Sequence, residues 1–111
     1  MDQGLTSRDR EAIRLLLVRV RELLGDPETS AAVFGSKARG EAGADSDIDL
    51  LLVVGHDDLP VRRQIFDLAF DVFLETDVLI SPLVVSRETL ADLKRSRRRL
   101  IRDIERDGMP V

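Results

Sequence analysis

Ser46-Asp47-Ile48-Asp49-Leu50-Leu51-Leu52-Val53-Val54 is the stretch from which the rest of the chain can be read. From Ile48 to Val54 it is almost wholly branched aliphatic, which is the pattern of a strand covered on both faces and not of one with a wet side. Two aspartates, Asp47 and Asp49, stand two residues apart at its entrance. Side chains alternate along a strand, so both fall on one face, with Cα atoms roughly 6–7 Å apart. A buried strand with an acidic mouth implies helices above and below a sheet and a polar site at one end of it.

Working outward, Thr6 or Ser7 caps a helix to about Leu24, with Ile13, Leu16, Leu17, Val20 and Leu24 forming one apolar stripe. Asp9 stands where a capping box has its acid. Gly25, Asp26 and Pro27 end the helix. Ser30 to Phe34 reads as a buried strand, Ser36 to Ala42 as a short helix or helical turn, and Gly43 to Ser46 as a loop. Gly55 to Pro60 is a turn. Val61 to about Glu75 reads as a second amphipathic helix with Ile65, Phe66, Ala69, Val72 and Phe73 inward, and Phe66, Phe70 and Phe73 are assigned to the core. Asp77 to Val85 is a third strand, bent at Pro82. Ser86 caps a last helix to about Arg106, with Leu90, Leu93, Leu100, Ile101 and Ile104 inward, and Gly108 and Pro110 end it. The order αβαβαβα describes one small α/β (α+β) domain over residues 1–111: a small mixed sheet flanked by helices.

Bulk composition narrows the function. With 43% hydrophobic and 34% charged residues in 111, the chain can bury a modest single core and is not disordered. The formal net charge of −4 argues against a general nucleic-acid glove. There is no cysteine, which excludes disulfides, thiolate metal sites and cysteine nucleophiles. No apolar run approaches the ~20 residues that cross a bilayer. Met1-Asp2-Gln3-Gly4 is unlike a secretory signal, so a cytoplasmic protein with no membrane role is expected.

The chemistry gathers around Gly35-Ser36-Lys37-Ala38-Arg39-Gly40, just upstream of the two aspartates. Gly35 lets backbone approach a phosphate closely. Ser36 offers a hydroxyl where a helix begins and free N–H groups attract anions. Lys37 and Arg39 add positive charge. Asp47 and Asp49 suit a hard divalent cation such as magnesium. A pair alone binds it weakly, so a third acid is expected on a neighbouring strand. Asp77 fits, with Glu75, two residues earlier, as its rival. Such equipment serves two-metal in-line displacement at phosphorus, and Asp77 could also take a proton from the attacking hydroxyl. Two look-alikes fail: Glu41-Ala42 stands where a P-loop needs Lys-Ser/Thr, and Leu50 and His56 replace the turn glycine and closing glutamate of an EF-hand.

Gly35-Ser36, ten residues, then Asp47-Ile48-Asp49 resembles the G-S-x10-D-x-D signature of the polymerase-beta-type nucleotidyltransferase superfamily. The surrounding Gly-Ser-Lys-Ala-Arg-Gly and Ser-Asp-Ile-Asp-Leu look like its small stand-alone members, the minimal nucleotidyltransferases of the MntA-like antitoxin kind. That likeness implies a polymerase-beta palm-like fold. It implies two magnesium ions on Asp47 and Asp49, with Asp77 as the third ligand, and a triphosphate such as ATP held at Gly35 and Ser36. It also implies transfer of AMP to a tyrosine of a helical HEPN-type toxin, within a type VII toxin–antitoxin pair. The substrate-binding domain of larger relatives has no counterpart in these residues.

Two other functions remain: an antitoxin that neutralises its partner by covering it, and a nucleotidyltransferase acting on tRNA or a small molecule. Lys94, Arg95, Arg97, Arg98 and Arg99 read first as a solvated helix face, then as a docking surface for an acidic partner, and only lastly as an RNA contact, since no aromatic residue accompanies them. His56 reads as solvated and Asp45 as a turn residue.

Overall fold

A computed structural model describes residues 5–35, 47–96, 99, 101, 102, 104 and 108–111. Along the chain run α1 (Ser7–Leu24), β1 (Ser30–Phe34), β2 (Ile48–Val54), α2 (Leu59–Thr76), β3 (Ile80–Ser86), α3 (Arg87–Ser96) and β4 (Met109–Pro110). Arg99, Ile101, Arg102 and Ile104 are helical as well. The strands make one mixed sheet in the order β3-β2-β1-β4. β1 is antiparallel to β2 and to β4, and β2 is parallel to β3. A parallel neighbour demands a long crossover, and α2 is that crossover.

β2 lies between β1 and β3, which is why its residues are aliphatic without alternation. Ile48, Leu50, Leu52 and Val54 face α1 and α2, joining Ile13, Leu16, Val20, Ile65, Ala69 and Val72 in one core. Leu51 and Val53 face the other way, onto Val85, Ile101 and Ile104, with Leu83, Leu90 and Leu93 at the margin. Two cores on a single strand define a three-layer arrangement, with helices on both faces of the sheet.

The ends of α1 form as their residues dictate. The Thr6 hydroxyl accepts from the Asp9 N–H and the Asp9 carboxylate accepts from the Thr6 N–H, both at 3.0 Å, so the capping box is complete. Gly25 closes the helix in the left-handed conformation at φ 61°. Arg19 of α1 grips Glu75 of α2 with two hydrogen bonds, of 2.5 and 2.9 Å, tying the two helices of this layer together.

Three expectations are corrected. α2 begins at Leu59, because Asp58 caps it by accepting from the Val61 N–H at 2.9 Å and Pro60 fits its first turn. Its far end extends through Thr76, whose hydroxyl donates to the Val72 carbonyl at 2.7 Å, so β3 opens at Ile80 and not at Asp77. Phe66 and Phe70 are not core: they are 52% and 57% exposed, and only Phe73 is half-buried. A further element had no forecast. Met109–Pro110 adds to the outer edge of β1, and the Val111 N–H donates to the Ala31 carbonyl at 2.9 Å. The helical turn expected at Ser36 to Ala42 lies outside the described residues.

Candidate active site

The site forms where β1 ends and β2 and β3 begin. Antiparallel register sets Phe34 beside Asp49, and parallel register sets Ser81 on the other flank of Asp49. Asp49 shares its face with Leu51 and Val53, the face covered by the C-terminal helical segment. Asp47, one step before β2, points the same way: it is the atom pair Ser81 Oγ to Asp47 Oδ2, at 3.4 Å, that joins it to β3. Asp47 is exposed and Asp49 half-buried, so the two carboxylates grade from solvent into the layer.

Gly35 follows β1 directly, at φ 74°. A Cβ placed on it would stand 2.2 Å from Asp49 Oδ2 and 3.2 Å from Asp49 Cγ. Both the left-handed backbone and the carboxylate against it require glycine here. Gly35, the first residue of the expected phosphate-binding motif, therefore lies against the second of the two aspartates. Ser36, Lys37 and Arg39, the other expected phosphate-binding residues, and Asp45 lie outside the described residues.

Asp77 is placed differently from expectation. It is the exposed C-cap of α2, at φ 62° and ψ 21°, with its N–H donating to the Phe73 carbonyl at 2.8 Å. Aspartate is one of the few residues that tolerate this conformation. Among the described residues no three Asp, Glu or His side chains gather as a metal-ligand group, so the trio of Asp47, Asp49 and Asp77 is not assembled. Glu75 is committed elsewhere. Its hydrogen bonds from Arg19 hold its carboxyl below the ordinary glutamate range and raise the guanidinium in turn. The side chain that does flank the pair is Ser81, which sequence reading missed. Only the β2–β3 register identifies it, and a serine between Ile80 and Pro82 carries no chemical signal of its own.

Other singled-out residues fall as follows. The His56 side chain is 83% exposed, with Nε2 3.0 Å from Asp58 Oδ2. Lys94, Arg95 and Arg99 are exposed, Arg95 pairs with Asp92, and Arg97 and Arg98 lie outside the described residues. A cleft of about 230 Å³, also unforeseen, opens between the start of α1 and β4, lined by Arg10, Arg14, Val33 and Met109 among others. Val33 belongs to the core on the α1 side, so this cleft lies across the sheet from Asp47 and Asp49.

Comparison with known proteins identifies the family and the fold. Residues 13–108 match the nucleotidyltransferase domain family. A Methanocaldococcus jannaschii protein that carries a protein adenylyltransferase name is 31% identical over 78 residues, covering 69% of this chain and 79% of the relative. A solved structure described as a toxin–antitoxin with AMP-PNP superposes with a TM-score of 0.55 at 18% identity, over 86% of this chain and 68% of that one. The chain belongs to the nucleotidyltransferase domain family, and its mixed sheet flanked by helices is the nucleotidyltransferase fold. No described helix is long and apolar enough to cross a membrane.

Proposed function

We propose that this nucleotidyltransferase moves AMP from ATP to a protein hydroxyl, a tyrosine of a HEPN-type toxin, and so serves as the antitoxin of a type VII pair. The observation that carries the chemistry is the contact between Gly35 and Asp49 beside Asp47 at one sheet end. A backbone bend able to meet phosphate and two carboxylates able to meet a cation are thereby neighbours. The named activity of the M. jannaschii relative supports a protein as acceptor. The toxin–antitoxin likeness in fold agrees with a partner toxin, and the HEPN identity rests on the sequence resemblance.

The residues fit magnesium: Asp47 and Asp49 offer hard oxygen donors on one face, and the Ser81 hydroxyl stands beside them. Bound there, magnesium would neutralise triphosphate charge and sharpen the incoming hydroxyl. In the reaction the acceptor oxygen bonds to the α-phosphorus. The bond from that phosphorus to the β-phosphate oxygen breaks, pyrophosphate departs, and the hydroxyl proton passes to a carboxylate or to water. Gly35, with Ser36, Lys37 and Arg39, would hold the phosphates.

Incubating the protein with its neighbour-encoded partner, magnesium and α-labelled ATP should label the partner. Equal labelling by the Asp47→Asn/Asp49→Asn variant would overturn the mechanism. Neutralisation that survives in this variant would favour antitoxin action by binding alone, and label appearing in tRNA or a small molecule would reassign the acceptor.

A further inference from the structure

The outer face of α2 is apolar and uncovered. Phe66, Phe70 and Leu74, spaced as one helical stripe, are 52%, 57% and 66% exposed. Leu59 extends the stripe at its N-terminal end, 60% exposed. The opposite side of the helix, through Ile65, Ala69 and Val72, is the one that covers the sheet.

We infer that this stripe is the interface of a homodimer, in which α2 packs antiparallel on α2 of a second copy about a two-fold axis at Phe70. The pattern is self-complementary, as a two-fold interface must be. In an antiparallel pair, residues equally far before and after the axis meet. Four residues out, Phe66 meets Leu74 of the second copy. Seven residues out, about 10 Å along the helix, Arg63 meets Asp77 of the second copy. Both are exposed, and among the described residues neither side chain has an ion pair of its own. Leu59 then lies at the rim.

The charge order of α2 points the same way. Its first turn holds no acid and its last turn no base. Arg63 stands near its positive end, and Asp71 and Asp77 near its negative end, against the helix dipole, while Arg62 and Glu75 are already paired with Asp57 and Arg19. A second α2 running the other way brings Asp77 to the end that Arg63 occupies and relieves both. Half-exposed phenylalanine and leucine side chains offer about 100 Å² each. Four of them per copy bury about 800 Å² in the pair, the size of a weak and reversible interface. The stripe lies on the α1–α2 side of the sheet, away from the face of Asp49 and Ser81, so the pair leaves the site open.

The chain has neither Trp nor Tyr. Mass is therefore read by sedimentation with interference optics and folding by circular dichroism. The wild-type chain should sediment as a dimer at tens of micromolar and dissociate on dilution. Phe70→Glu should be a folded monomer. Arg63→Glu and Asp77→Arg should each weaken association about tenfold, and the two together should restore it. A wild-type chain that stays monomeric at 100 µM or so overturns the proposal, as does a dimer indifferent to Phe70→Glu, or a charge swap that fails to restore pairing. A monomer whose Phe70→Glu variant loses its toxin partner would assign the stripe to that partner instead.

Discussion

Gly35 and Asp49 touch: the α-carbon of the glycine is turned so that a Cβ there would meet Asp49 Oδ2 at 2.2 Å. Gly25 provides a matched contrast, because it has a similar left-handed backbone, φ 61° against 74°, but nothing within 4 Å of a would-be Cβ. Gly25→Ala should thus lose only the left-handed penalty, about 1–2 kcal/mol, with nucleotidyl transfer intact. Gly35→Ala adds displacement of a site carboxylate and should lower transfer at least about tenfold. Urea midpoints together with initial rates separate the two. Equal rates in both variants would mean that the contact has no part in the chemistry.

Asp47 and Asp49 should prove unequal to Asp77. Either Asp47→Asn or Asp49→Asn should reduce transfer more than about a hundredfold, beyond what loss of an outer partner costs. Asp77→Asn keeps a residue that accepts the left-handed cap. With that cap exposed, its effect should stay within about 0.5 kcal/mol, a factor of two to three. A collapse of activity in Asp77→Asn, with stability unchanged, would restore the three-acid arrangement expected from sequence.

The contrast between these acids shows what a sequence of this kind discloses. The α1 stripe, the aliphatic β2 and the Gly35–Asp49 motif were legible because each is a local pattern, of helical period, unbroken burial or fixed spacing. Asp77 misled for a local reason too. An acid before Val78, Leu79 and Ile80 looks like a strand opening, and nothing nearby reveals that Thr76 will prolong the helix by bonding to the Val72 carbonyl. Phe66 and Phe70 misled because helical spacing marks a face without saying which way it turns. β4 is two residues long and has no period to detect. Ser81 depends wholly on the β2–β3 register, a long-range fact.

That register supports a gain-of-binding test. Ser81 is paired directly with Asp49 and donates towards Asp47, so Ser81→Asp would set a third carboxylate beside the pair. Manganese affinity, measured by calorimetry, should rise roughly tenfold, and Ser81→Ala should leave or modestly weaken it. Affinity that falls in Ser81→Asp would place the cation away from this flank.

Acid should unfold the protein through a defined set of ion pairs. Hydrogen bonds from Arg62, at 2.6 and 2.8 Å, hold the Asp57 carboxyl below its ordinary range against the burial of a side chain only 7% exposed. Arg87 does the same for Asp26, and Arg19 for Glu75. Each carboxyl is more acidic folded than unfolded. Its contribution is therefore complete above the unfolded value, about 4, and disappears as pH falls through the lower folded value. Urea midpoints should be flat from pH 7 to about 5 and decline below about 4. Asp57→Asn should flatten that decline most, because its pair is the best shielded. Glu75→Gln and Asp26→Asn, at exposed pairs, should flatten it less, and salt should erode their share first. A decline centred above pH 5, or one untouched by Asp57→Asn, would show that other groups govern acid unfolding.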